Sequence, residues 1–110
     1  MAYDGELAQR VRALLDGEPV VEKRMFGGLA FLVDGHMAVA VGGRGGLMAR
    51  VPPEQLEALL AEPGTDEVVM GQGRRMRGWV TIDDEALGDD VALRAWVTRG
   101  LDVVRALPPK

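Results

Sequence analysis

Cysteine, serine and asparagine are absent from this chain, and histidine occurs once, as His36. The first absence removes disulfide staples, thiolate metal sites and thiol catalysis together, and the second removes a serine nucleophile. His36 stands directly after a turn, with no second histidine or cysteine to complete a transition-metal site, so it reads as an edge or turn residue. No apolar run approaches the length that crosses a membrane. Met1-Ala2-Tyr3-Asp4-Gly5-Glu6 is acidic, unlike the basic start of a signal peptide, and the expectation is a cytoplasmic protein with no membrane partner. Positive charge is also in short supply. The net charge of −4 argues against a surface that neutralises phosphates as a whole.

Hydrophobic residues form 47% and charged residues 27% of the 110 positions, a composition that fits one globular domain over residues 1–110. Asp4 is placed to cap a helix whose Leu7, Val11, Leu14 and Leu15 share one stripe, and Gly17 and Pro19 stop it. The period then changes to two. Val20, Val21 and Met25 predict a first strand, and Phe26-Gly27-Gly28 bends the chain into Leu29 to Val33. Asp34-Gly35 is hairpin-turn chemistry, and His36 to Val41 returns. Leu29, Phe31, Val33, Met37, Val39 and Val41 fall on a bulky face, while Ala30, Leu32, His36, Ala38 and Ala40 fall on a mostly small one.

Gly42-Gly43-Arg44-Gly45-Gly46 lacks the Lys-Ser/Thr ending of a phosphate-binding loop and joins two predicted strands, so it reads as a hairpin loop into Leu47 to Val51. Pro52-Pro53 precedes a short helix with Leu56, Leu59 and Leu60 buried, and Pro63-Gly64 ends it. Val68 to Met70 and Trp79 to Ile82 predict two further strands. Asp89 or Asp90 caps a final helix on which Leu93, Trp96, Val97, Gly100, Leu101 and Val104 repeat at three and four residues. The predicted fold is α+β: two layers, an antiparallel sheet packed on helices, in the order one helix, three or four strands, a helix, two strands, a helix.

Two stretches are candidate sites. Arg24, Arg44, Arg50, Arg74, Arg75 and Arg77, with Lys23 beside them, supply a basic patch for a partner or a nucleic acid, and Trp79 offers a stacking face. The competing reading is a solvated hairpin tip whose arginines meet Asp66, Glu67 or the acidic run from Asp83 to Asp90. Met25-Phe26-Gly27-Gly28 is either a partner-binding knuckle or a core aromatic followed by a glycine bulge that redirects a strand. Asp83, Asp84, Glu85, Asp89 and Asp90 do not have calcium-loop spacing and fit helix capping. No metal, cofactor or catalytic residue is expected.

Arg24-Met25-Phe26-Gly27-Gly28, the hairpin after it, Arg77-Gly78-Trp79-Val80 and the segment from Trp96 to Leu101 together resemble the N-terminal domain of the TfoX/Sxy family, over nearly the whole chain. The resemblance implies a two-layer fold like that of type III secretion chaperones. It also implies an association with regulation of DNA-uptake competence, in which full-length members act with a cyclic-AMP receptor protein at promoters. The sequence ends at Lys110, and the expectation is a stand-alone copy without the second, helical domain of those regulators.

The first functional reading is therefore a non-enzymatic protein-interaction module, a co-regulator of transcription or competence whose partner is a transcription regulator. The alternatives are a nucleic-acid-binding protein that uses the arginines, and an enzyme of unrecognised type. Ala30, Ala38 and Ala40 form a small-residue face that lets another backbone approach, so a homodimer is a further expectation.

Overall fold

In the computed structural model, residues 5–25, 27–43, 45–70 and 73–108 are described, with backbone alone at Val69, Met70, Arg74 and Arg75. Helix α1, Gly5–Leu14, buries Leu7, Ala8 and Val11, and the expected cap at Asp4 lies outside the described residues. Four strands follow as a meander: β1 Val20–Met25, β2 Gly28–Val33, β3 His36–Val41 and β4 Leu47–Arg50. A 3-10 turn, Pro53–Gln55, leads into α2, Leu56–Leu60, and then come β5 Thr65–Met70, β6 Arg74–Ile82, another 3-10 turn, Glu85–Leu87, and α3 Asp90–Arg105. The sheet has six antiparallel strands in the order β1-β2-β3-β4-β6-β5, so the fold is α+β in the predicted helix and strand order.

The start of α3 shows how local chemistry sets an element. The Asp89 carboxylate accepts from the Val91 backbone N–H at 2.9 Å, satisfying one of the donors that a helix leaves open at its first turn. Asp89→Ala is expected to lower stability by about 1 kcal/mol, measured by urea unfolding, whereas Asp102→Ala on the exposed side of the same helix should change it little.

One face of the sheet carries the core. Leu29, Phe31, Val39, Val41, Leu47, Ala49, Val80 and Ile82 pack there against Val11 of α1, Leu59 of α2, and Leu93, Trp96, Val97 and Val104 of α3. Side chains alternate across a pleated strand, so the other face belongs to the intervening residues, and no described helix covers it. Helix α3 reaches the sheet closely at Gly100, where a Cβ would stand 2.5 Å from the Ala38 carbonyl oxygen.

Two expectations need correction. The register between β2 and β3 shifts at Phe31/Leu32, where Phe31 pairs with Val39 but Leu32 pairs with Met37. This bulge leaves Ala38 as the extra residue, and both Ala38 and Val39 join the core. Alternation is broken at a bulge, so Met37 leaves the bulky face and Ala38 leaves the small one. At the second site, Met25 pairs directly with Gly28, and Gly27 has φ +74°. The bend is a two-residue hairpin connection instead of a bulge within one strand, and its aromatic, Phe26, lies outside the described residues. Gly28 is required for another reason: a Cβ there would meet the Val41 carbonyl oxygen at 2.1 Å.

The Asp34-Gly35 turn has φ of 53° and 84°, the left-handed pair expected of a tight hairpin. Strand β6 begins earlier than the predicted strand, at Arg74, because it pairs with β5 on both sides of an irregularity between Glu67 and Val69. No described helix is long and apolar enough to cross a membrane.

Candidate functional site

The pairing registers place one continuous row across the uncovered face. From edge to edge it reads Lys23, Ala30, Ala40, Met48, Thr81 and Asp66. Ala30 and Ala40 are buried although no described helix lies over them, because a methyl group sinks between longer neighbours on a pleated surface. Met48 and Thr81 are half-buried, and Lys23 and Asp66 are exposed at the two edges. Leu32 and Met37, paired beyond the bulge, extend the apolar area, as does Val21 on β1, which is 65% exposed.

Beside this row lies an open pocket of about 550 Å³. Its walls include Met25, Ala40 and Met48 on one side and Asp66, Asp83 and Asp84 on the other, with Gly28, Gly42 and Gly46 between them. The glycine loop is held by its own backbone, with Gly42 N–H donating to the Gly46 carbonyl at 3.0 Å. Asp84 accepts from Gly46 N–H at 2.9 Å, and Asp83 accepts from Ala86 N–H at 2.9 Å. These carboxylates therefore hold loops together. Among the described residues no group of histidine, cysteine, aspartate or glutamate is placed to hold a metal ion.

The arginines expected to form a basic patch are distributed over the sheet. Arg50 and Trp79 are paired neighbours on β4 and β6, and the Arg50 guanidinium lies 5.0 Å from the Trp79 ring centroid. The ring is nearly buried and one of its faces is already occupied by a cation, an attraction worth about 0.5–1 kcal/mol or more. Burial lowers the Arg50 pKa from its ordinary value. Arg24 sits on the opposite edge strand and pairs with Leu29, a core-side position, so it points away from Arg50. Arg77 is exposed on β6 and lines a second hollow with Pro53, Leu56 and Met76. Arg74 and Arg75 are placed on β6 by their backbone only, and Arg44 lies outside the described residues. The structure thus brings Arg50 and Trp79 together and separates Arg24 from them.

Other arginines are engaged in holding the layers. Arg12 of α1 makes two hydrogen bonds to Glu22 of β1, at 2.6 and 2.8 Å, which hold the Glu22 carboxyl below the usual value. Arg10 reaches Asp90 at 2.8 Å and the Leu87 carbonyl at 2.7 Å, Arg105 pairs with Glu18, and Arg99 stacks over Trp96 at 4.5 Å. His36 follows the Asp34-Gly35 turn and opens the interior strand β3, a turn residue and not one of an edge strand, with its Nε2 2.7 Å from the Pro108 carbonyl oxygen.

Sequence reasoning missed Met48 and gave Asp66 only the role of an arginine partner. Both gain their place from cross-strand register, and no single-strand pattern contains that information. The family model described as the TfoX N-terminal domain matches residues 12–104. No curated protein and no solved structure matches the chain.

Proposed function

As the chain belongs to the TfoX N-terminal domain family, we propose that it is a non-enzymatic protein-interaction module, a cytoplasmic co-regulator of transcription or competence that works through the uncovered face of its sheet. One observation carries this reading. The face presents Leu32, Met37 and Met48 around a floor of Ala30 and Ala40, bordered by an open pocket, and no described helix covers it. Apolar area of that kind with charged residues at its edges is the composition of a protein-docking surface. The partner in this reading is a transcription regulator, the kind of protein with which full-length members of the resembled family act.

The test is capture by the immobilised chain followed by mass spectrometry. The wild type and Arg94→Glu, on the exposed side of α3, should retain the same transcription regulator, and Met48→Glu should lose it. Equal capture by all three, or retention of no regulator by the wild type, would overturn the proposal.

A further inference from the structure

The row that crosses the uncovered face is polar at its two ends and apolar in the middle, and the ends carry opposite charge. Lys23 stands on edge strand β1 and Asp66 on edge strand β5, separated by five strand spacings, about 24 Å. Among the described residues Lys23 has no carboxylate partner and Asp66 has no cationic one. A second copy of the chain is complementary to this pattern in only one of the two simple ways of stacking the faces.

A two-fold axis parallel to the strands reverses the strand order of the second sheet while keeping each row level. Strand β1 of one copy then covers β5 of the other, so Lys23 faces Asp66 twice, and Ala30, Ala40, Met48 and Thr81 close the centre. A two-fold axis across the strands stacks β1 on β1, which sets Lys23 against Lys23 and Asp66 against Asp66. Like charges brought together across an interface cost several kcal/mol, so the register selects the first axis.

We infer that the uncovered face binds a second copy of this chain, sheet on sheet, about a two-fold axis parallel to the strands, with Lys23 of each copy against Asp66 of the other. This rests on the reading of that face as a docking surface and names its occupant. The second copy then occupies the face, the regulator is captured by the assembled pair, and Met48→Glu loses it by breaking the pair. The face measures about 24 Å by about 20 Å, roughly 1,000 Å² over two copies, which reaches the lower bound for a specific interface. Side-by-side pairing through β1 is disfavoured, because Glu22, Lys23 and Arg24 charge that edge in the manner that blocks strand addition.

Sedimentation equilibrium of the purified chain should give a dimer in the micromolar range. Lys23→Glu and Asp66→Lys should each raise the dissociation constant about tenfold or more, and the double exchange should restore it. Both positions are exposed, and circular dichroism should show all three variants folded. The absence of cysteine permits a second, geometric arm. Lys23→Cys with Asp66→Cys in the same chain should give a covalent dimer with a short bismaleimide, and Lys23→Cys alone should not. A monomer at high concentration, charge exchanges without effect, or efficient cross-linking of Lys23→Cys alone would overturn the inference. A dimer that answers both exchanges supports it whether or not a regulator is captured, and a monomer that captures one through Met48 overturns it alone.

Discussion

Phe31→Ala is expected to lower the unfolding free energy by about 3–5 kcal/mol. The ring is 1% exposed, and it belongs to the core-side row that runs from Glu22 through Phe31, Val39, Ala49 and Val80 to Glu67. It stands opposite the bulge at Ala38 and Val39, where the strand bends and neighbours cannot close over a lost ring without undoing the bend. The cavity therefore stays largely open, and the cavity contribution adds to the lost transfer energy. Urea unfolding followed by circular dichroism measures it, and a loss below about 1 kcal/mol would mean that the ring does not anchor the core.

Gly100→Val should be the second most damaging change, at about 2–3 kcal/mol. In an exposed helix, replacing glycine with alanine gains about 1 kcal/mol. Here α3 passes so close to β3 that a Cβ would lie 2.5 Å from the Ala38 carbonyl oxygen and 3.1 Å from the Val39 Cγ1. The first neighbour is backbone at the bulge of β3 and has no rotamer to yield, so the helix itself must lift. Valine adds two methyl groups to that clash. Thermal unfolding should show the loss for Gly100→Val and no comparable loss for Thr98→Val on the exposed side. Equal stability of the two variants would show that the approach of α3 to β3 is slack.

Much of the fold could be read from local chemistry. Asp34-Gly35 announced its turn because few residues tolerate two successive left-handed angles, and α3 declared its length through six apolar positions that its structure buries. Other features were hidden because their causes are not local. Nothing in His36-Met37-Ala38-Val39 distinguishes an unbroken alternation from one interrupted at Ala38, since the bulge is defined by pairing with β2. Arg74 and Arg75 do flank a hairpin tip, since Met70 pairs with Arg74, but their strand character was hidden because it depends on β5, which supplies the partner that extends β6 to Arg74. The uncovered face was legible only through Ala30 and Ala40. Which residues end its row depends on five separate registers, so Lys23 and Asp66 acquired meaning only when the strands were assembled.

The strand order has a consequence for how the chain reaches this state. Strands β1 to β4 form by successive neighbouring hairpins, and β5 with β6 forms another, so each piece is wired locally. Within the sheet the two pieces join where β4 pairs with β6, from Leu47 with Ile82 to Arg50 with Trp79. That seam closes a loop containing α2 and β5, and loop-closure entropy and sequence-distant contacts slow folding. The time the chain takes to fold is expected to be set at this one junction, with Arg50 resting on Trp79 as the latch that marks its closure.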